Sequence, residues 1–273
     1  MRWRQWSVLG LVAAAVGCQS DIPHGRPLRL MTYSIQYAAG GLDRIKAEIA
    51  SYEPDILCLQ GAKLEAHVNQ VVELANHFGY YRAFGKAVDL DKGQDINGIL
   101  CRYKVADARV IDMPSDRNLG LAVRVAWPSQ DIWVVSMALT PNRSLLNPIA
   151  LTQDETLRAR QADRINEVAS KLAGPVIVAG TLHSTPLSIV YQRMAARWTD
   201  CHFSLDALAP ATYPNFVPLY RFDYVFASEH FYPSQAQISS AGASDHRAVI
   251  VDLYLKAVET QPAATAWAHP FRR

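Results

Sequence analysis

The chain has 273 residues, of which 50% are hydrophobic and 19% are charged. That composition excludes a disordered protein and is enough to bury the core of one domain, because two-layer β proteins often form single units of ~200–250 residues. The chain has 27 basic and 25 acidic residues, and residues 1–17 hold two arginines and no acid, so 25 of each sign follow them. A net charge of zero weighs against a nucleic-acid binder, which needs a positive excess to neutralise phosphates.

The first 17 residues have the pattern of a signal peptide. Arg2 and Arg4 precede a short apolar run, Trp6–Val16, which is too short for a membrane span of about 20 residues. The run ends in Ala-Val-Gly before Cys18, and this ending resembles a lipobox. The resemblance implies cleavage before Cys18 and lipidation of its sulfur. Two alternatives stay open, an ordinary signal peptide cut nearby and an N-terminal membrane anchor.

Lipidation would make the protein an exported component of the bacterial cell envelope, because several acyl chains hold a protein firmly on a membrane. Gln19 is not the aspartate that retains many lipoproteins in the inner membrane, so we expect the outer membrane where the cell has one. Residues 18–27 predict a short polar tether that carries the lipidated Cys18. The membrane, reached through Cys18, is therefore the first predicted partner.

The rest of the chain predicts one folded domain over residues 28–256. Alternating apolar runs and apolar residues at helical spacing define its elements. They predict strands at 28–35, 55–60, 96–102, 106–112, 119–127, 132–139, 176–179, 222–227 and 248–255. They predict helices at 42–52, 67–78, 156–172 and 188–197, with a loop at 140–154 and a flexible Ala- and Pro-rich tail at 257–273. Many strands with two groups of helices predict two packed sheets covered by helices on their outer faces.

Three cysteines follow Cys18, namely Cys58, Cys101 and Cys201. An odd number without CxxC spacing argues against a disulfide framework and against a zinc site. Cys58 and Cys101 lie in apolar runs, where a cysteine behaves as a small buried hydrophobic residue.

Eight short motifs occur in order between residues 28 and 255. They are TYSI at 32–35, PDILCLQG at 54–61, INGILCRY at 96–103, MAL at 137–139, RARQ at 158–161, GTLHSTPLSIVY at 180–191, FDYVF at 222–226 and SDHR at 244–247. In this order they resemble the endonuclease/exonuclease/phosphatase family. The resemblance implies an α/β (α+β) fold, the four-layer α-β-β-α sandwich of DNase I-like proteins. A matched scaffold does not by itself define an activity.

The resemblance also implies cleavage of phosphate esters with a divalent ion, usually magnesium, which prefers oxygen ligands from carboxylates. It places the key metal carboxylate at Gly61, which has no side chain, and an amide at Ser34. It places the carboxylate that activates the attacking water at Thr181, a poor base. A second amide falls at His183, and a histidine that neutralises phosphate charge falls at Ala138. We therefore expect magnesium from the family but assign no cofactor to this chain.

Part of the family's pattern is retained. Asp223, Asp245 and His246 stand at the family's catalytic positions, where the resemblance implies that the aspartate of FDYVF orients the imidazole of SDHR. An Asp–His pair of this kind also serves as a buried hydrogen bond that joins two strand ends, and we favour that structural interpretation. Asn97 and Arg247 are candidate ligand-binding residues.

The first functional hypothesis is therefore an envelope binding or interaction module that has lost metal-dependent hydrolysis. It would recognise a phosphate-bearing ligand or a protein partner, with Asn97, Arg247 or Arg158 as contacts. Arg158 lies on a predicted helix, however, where an arginine more often belongs to a solvated face.

The second hypothesis is an active phosphodiesterase, phosphatase or nuclease with a rebuilt site. His183, Asp245 and His246 would converge on one ion, and two imidazoles with a carboxylate suit zinc, manganese or iron better than magnesium. A third hypothesis, a nuclease that acts on environmental DNA, is weakened by the zero net charge and by Gly61.

Overall fold

The computed structural model describes residues 25–85, 87–90, 93–114, 119–142, 148–240 and 242–256. The predicted signal peptide, Cys18 and the predicted tail at 257–273 lie outside these residues, as does most of the predicted tether.

Four α-helices and fourteen strands occur in the described residues. The helices are α1 (Leu42–Tyr52), α2 (Gln70–Phe78), α3 (Pro148–Ala169) and α4 (Ile189–Ala195). The strands of the first half are β1 (Leu28–Ser34), β2 (Ile56–Glu65), β3 (Val68–Asn69), β4 (Tyr81–Phe84), β5 (Val88–Leu90), β6 (Gly93–Cys101), β7 (Val105–Ile111) and β8 (Leu119–Val125). Those of the second half are β9 (Ile132–Ala138), β10 (Val176–Thr181), β11 (Thr199–Asp200), β12 (Asp223–Ala227), β13 (Phe231–Ile238) and β14 (Val249–Leu255).

The described strands form two sheets. One has the order β13-β14-β1-β2-β6-β4, with β3 paired to β2 and β5 paired to β6, and the other has the order β11-β12-β10-β9-β8-β7. Each sheet contains one parallel pair at its centre, β1 with β2 and β9 with β10, among antiparallel neighbours. The last paired residues at the carboxyl ends of these two parallel pairs are Ser34 with Gln60 and Ala138 with Thr181.

Three apolar clusters define four layers. A central cluster packs the inner faces of the two sheets against each other, and it includes Cys58, Cys101 and Cys201. A second cluster packs α3 and α4 on the outer face of the sheet that contains β10. A third packs α1 and α2 on the outer face of the sheet that contains β1. These layers confirm the predicted α-β-β-α sandwich.

One polar connection crosses the interior between the sheets. The Thr32 hydroxyl donates to Gln60 Oε1 at 3.1 Å, and Gln60 Nε2 donates to Ser136 Oγ at 3.1 Å. All three side chains are buried. Because a buried polar group without a partner is costly, this bridge fixes how the two sheets face each other.

The predicted loop at 140–154 was wrong in its second half, because α3 begins at Pro148. Proline is favoured in the first turn of a helix, where its missing N–H costs no hydrogen bond. The helix also ends at Ala169, earlier than predicted. Helix α2 begins at Gln70 rather than at residue 67, and the Asn69 side chain caps it by accepting from Val72 N at 3.1 Å.

Several strands were missed or predicted too short. Strand β13 contains Pro233 and a bulge after it, and a proline within a strand is tolerated at a sheet edge, where β13 lies. Strand β4 is largely exposed and gives no clear alternation. Strand β2 continues beyond Gln60 to Glu65 through an irregular step at Gly61.

Candidate functional site

Positions from both sheets meet at one end of the sandwich. In the second sheet Thr181 lies in register between Ala138 on one side and Asp223 on the other. The first sheet reaches the same place because the Ser244 hydroxyl donates to the main-chain oxygen of Ser34 at 2.6 Å. The SDHR segment thus bridges the ends of the two sheets, next to the positions that were predicted to carry chemistry.

Gly61, where the motif resemblance implies a metal carboxylate, has a left-handed backbone. Its φ is +64°, a conformation that L side chains rarely adopt. A Cβ built on Gly61 would lie 3.3 Å from the backbone N of Gln36 and 3.8 Å from Ser34 Oγ. The bulge in β2 therefore both lacks a ligand and disfavours a side chain at this position.

The loop that faces Gly61 is also left-handed. Gln36, Tyr37 and Ala38 have φ values of 45°, 56° and 53°, and such residues are strained unless their surroundings fix them. Gln70 supplies one such fixation, since its Nε2 donates to the Tyr37 carbonyl at 2.8 Å while its Oε1 accepts from Lys63 N at 2.8 Å. Main chain from this loop lies against position 61, where the family pattern calls for a carboxylate.

The retained Asp–His pair is formed. The carboxylate oxygen Oδ2 of Asp223 lies 2.7 Å from His246 Nδ1 and accepts from the Thr212 hydroxyl at 2.6 Å. Burial lowers the pKa of His246. The charge of Asp223, the hydrogen bond to Asp223 and the charge of Asp245 raise this pKa by more than burial lowers it, so the pKa lies above its usual value. The imidazolium is therefore stabilised inside the protein.

His183 lies beside this pair. Its backbone has a φ of +47°, and its ring meets the His246 ring edge-on with centroids 5.9 Å apart. Burial, and then the neighbouring charge of His246, lowers the pKa of His183 to about 3. His183 is thus neutral at physiological pH. The Tyr213 ring also lies near the His246 ring, with centroids 4.8 Å apart, so two rings adjoin the buried imidazole of His246.

The residues present do not fit a magnesium ion. Two buried oxygens at the site, Thr181 Oγ1 and Asp223 Oδ1, have no hydrogen-bond partner within the described chain. They supply one neutral hydroxyl and one oxygen of a carboxylate that is already bound by Thr212 and His246, whereas magnesium is held through one or two carboxylates that are free to bind it. Across all of the described residues, no three His, Cys, Asp or Glu side chains come together in a way that could hold a metal ion. His183, Asp245 and His246 share this end of the sandwich without forming such a group.

The other candidate residues have structural partners. Arg247 Nε donates to the main-chain oxygen of Asn215 at 2.8 Å. The main-chain oxygen of Asp245 accepts from Asn215 N at 2.7 Å, and its Oδ1 accepts from the Ser244 hydroxyl at 3.3 Å. Asn97 is fully buried in β6, opposite the irregular step of β2. These contacts connect the SDHR segment to a loop around residue 215 that no sequence motif marked.

Arg158 does not lie on a solvated face, which corrects that expectation. It is 3% exposed, its Nε donates to Ser184 Oγ at 2.9 Å and its Nη1 donates to the Thr140 carbonyl at 3.2 Å. Gln161 binds the backbone N–H and the hydroxyl of Thr140 through its side-chain amide. The RARQ motif therefore fixes the loops that follow β9 and β10.

None of the helices in the described part of the chain has the length and apolar character needed to cross a membrane.

Comparisons with known proteins agree with this architecture. A family model described as the Endonuclease/Exonuclease/phosphatase family matches residues 31–246. A comparison with curated protein sequences gives no match.

Solved structures share the fold. An endonuclease/exonuclease/phosphatase from Beutenbergia cavernae is 24% identical with a TM-score of 0.70, and the match covers 85% of this chain and 72% of that one. The human Nocturnin catalytic domain with bound sulfate is 21% identical with a TM-score of 0.64, covering 86% and 96%. A 3′ phosphatase from Neisseria bound to a product DNA hairpin is 15% identical with a TM-score of 0.66, covering 82% and 98%.

Proposed function

Because the chain belongs to the endonuclease/exonuclease/phosphatase family, we propose that it is a member that has lost metal-dependent phosphoester hydrolysis and acts as an envelope binding module. One observation carries the proposal. Position 61, where the family's motif carries a metal carboxylate, is a glycine with a φ of +64°, and neighbouring main chain lies against the place that a side chain would occupy.

The remaining substitutions support the same conclusion. A bound metal activates water and neutralises charge on the reacting phosphate, and a positioned base adds ~10²–10⁴-fold. Thr181 cannot replace that base near neutral pH, and Ala138 offers no charge to a phosphate. His246 keeps its aspartate, but an oriented imidazole without a metal or an activated water does not complete the family's reaction.

The position in the cell rests on the sequence around Cys18. A short apolar run followed by a cysteine supports export and lipidation at the envelope. Replacement of Cys18 by serine would then abolish labelling with a radioactive fatty acid. Labelling that persists in Cys18→Ser would refute this part of the proposal.

The ligand class follows from the fold and from the charge. Among the similar structures, the Nocturnin domain holds a sulfate and the Neisseria phosphatase holds a DNA product. For this chain we propose a phosphate-bearing ligand or a protein partner rather than nucleic acid, since the residues after position 17 carry 25 basic and 25 acidic side chains.

Calorimetric titration with magnesium, manganese and zinc, combined with hydrolysis assays on phosphodiester and phosphomonoester substrates, tests the loss of catalysis. The chain from residue 18 onward, with Cys18→Ser, is the sample, and His246→Ala is the matched variant. We expect no metal binding and no turnover above the variant. Turnover at enzyme-like rates that His246→Ala abolishes would overturn the proposal.

A second candidate function is favoured by the contact between the His183 and His246 rings, with centroids 5.9 Å apart. Two imidazoles at one place can serve as ligands of zinc, manganese or iron, so a rebuilt metal-dependent hydrolase remains the competing hypothesis. Purification in metal-supplemented medium followed by elemental analysis separates the two. A stoichiometric metal that His183→Ala removes would support the hydrolase.

A further inference from the structure

A hairpin next to the site carries an exposed apolar tip. Residues 212–220 turn back on themselves, with a β-bridge between Tyr213 and Tyr220. At the turn, which we call the apolar tip (residues 216–220), Phe216 is 81% exposed, Val217 is 54% exposed and Leu219 is 67% exposed. The stretch 212–220 reads TYPNFVPLY and contains no charged residue. Contiguous exposed apolar residues in a soluble domain mark an interaction surface.

Polar bonds from behind hold the apolar tip in place. Asn215 Nδ2 donates to the carbonyl oxygens of Ser244 at 2.6 Å and Gly242 at 3.1 Å. Asn215 N donates to the carbonyl of Asp245, and Arg247 Nε donates to the carbonyl of Asn215. The apolar side chains therefore stay exposed on a fixed hairpin, which lowers the entropy cost of binding.

The apolar tip lies at the site end of the sandwich. The hairpin leads directly into β12, and the Tyr220 and Phe222 rings stack with centroids 5.4 Å apart. The loop after β10 adds Leu187, which is 91% exposed, to the same end. By contrast β1 begins at the opposite end, since its last residue, Ser34, is the one that contacts the SDHR segment. The chain thus enters the domain at one end and presents the apolar tip at the other.

We propose that the apolar tip inserts into the interfacial region of a lipid bilayer, so that the site end of the domain rests on the membrane. The proposal rests on the proposed attachment at Cys18. A convex, uncharged tip of Phe, Val, Pro, Leu and Tyr has the composition that interfacial membrane binding uses. It needs no complementary cavity, which a protein partner would have to supply.

Chain length allows this orientation. The predicted tether, residues 18–27, reaches ~33–36 Å when extended, whereas the seven residues of β1 span ~23 Å. A domain held by lipid at Cys18 can therefore rest on its site end, with the apolar tip on the same bilayer. Attachment makes this second contact intramolecular and so strengthens it.

Vesicle binding tests the proposal without the lipid anchor. The sample is the chain from residue 18 onward with Cys18→Ser, and the vesicles contain phosphatidylethanolamine and phosphatidylglycerol. We expect flotation with the vesicles, and a drop of about 100-fold in the partition coefficient for Phe216→Ser/Leu219→Ser, about one decade for each side chain. The matched control is Tyr81→Ser/Tyr232→Ser, which alters two residues that are 53% and 54% exposed away from the apolar tip and leaves partitioning unchanged.

Several outcomes would overturn the proposal. They are no vesicle binding by the Cys18→Ser chain, an equal loss in both double variants, and self-association without vesicle binding that only the apolar-tip variant abolishes. The last result would show that the apolar tip is a protein contact. Near-UV circular dichroism checks that each variant is folded. Turnover with metal bears only on the loss of catalysis, and vesicle binding bears only on the apolar tip, so the two proposals fail independently.

Discussion

Replacement of Asp223 by asparagine tests the physical account of the retained pair. Asp223 and His246 are 1% and 4% exposed, and the pair supplies the charge that raises the pKa of His246 above its usual value. In Asp223→Asn the burial that lowers this pKa remains while the largest opposing charge is gone. We therefore expect the pKa of His246 to fall below its value in an unfolded chain.

The sign of the resulting pH dependence is opposite in the two proteins. In the wild type the raised folded-state pKa gives stability that is fully present below the unfolded value of ~6.5 and is lost as the pH rises through the folded value. In Asp223→Asn the folded-state pKa of His246 is lowered, so its contribution to stability is fully present above the unfolded-state pKa and is lost as the pH falls through the folded-state pKa. The variant is therefore penalised most in acid.

The size of the effect follows from what the buried imidazole loses. Above the folded-state pKa of His246 the ring is neutral and the change removes hydrogen bonding worth about 1 kcal/mol. Below that pKa the substitution removes the charge that balances a buried imidazolium, which costs about 3 kcal/mol or more. Each unit by which the pKa of His246 differs between the two proteins adds ~1.4 kcal/mol to the gap.

Urea unfolding of both proteins near pH 5 and near pH 9 measures this gap. The matched control is Asp252→Asn, because Asp252 is buried and forms a bidentate pair with Arg29, with both bonds at 2.8 Å. Arginine keeps its charge across this range, so the destabilisation of the control is the same at both pH values. A destabilisation by Asp223→Asn that is equal at the two pH values, or larger near pH 9, would refute the reasoning.

Three further predictions concern the frame around the site. Gly61→Ala lowers the unfolding free energy by ~1–2 kcal/mol because of the left-handed backbone, and contact with the facing loop adds to this loss. Denaturant unfolding should show a smaller loss for the control Gly79→Ala, because Gly79 has a φ of +67° but no atom within 4 Å of its Cβ position. Gln60→Leu costs about 2–3 kcal/mol because it leaves buried hydroxyls without partners, and adding Ser136→Ala should recover part of that loss in a double-mutant cycle. Burial raises the pKa of the three free thiols of Cys58, Cys101 and Cys201, to about 11 for Cys101. Labelling of the Cys18→Ser chain with a thiol reagent should therefore follow global unfolding. Faster labelling would contradict the burial of these three cysteines.

The layers of the fold could be predicted because their pattern is local. Alternating apolar residues gave the central strands, and three- or four-residue spacing gave helices such as α1, which has the predicted bounds of Leu42–Tyr52. Edge strands such as β13 were not predicted, since an edge buries less and accepts Pro233. The start of α3 was missed because its first turn carries no apolar periodicity.

The site was predictable only where a motif names the residue. Asp223 and His246 meet as the family pattern implies, whereas the predicted loss of a carboxylate at Gly61 stays a prediction. Its left-handed conformation could not be predicted, because φ at a glycine depends on the bulge and on the facing loop. Thr212 and Asn215, which hold the pair and the SDHR segment, lie in a loop without a motif, and their roles arise only when distant strands come together.

The residues that match the family's motifs have buried structural partners. Asp223 binds Thr212 and His246, and Arg158 binds Ser184 and Thr140, so loss of either would leave buried groups without partners and destabilise the fold. At the replaced position 181, by contrast, the hydroxyl has no partner among the described residues. The fold alone can therefore maintain the Asp–His pair, and its presence is not evidence for catalysis. Evidence for catalysis would have to come from a ligand set for a metal or from a base, and Gly61 and Thr181 supply neither.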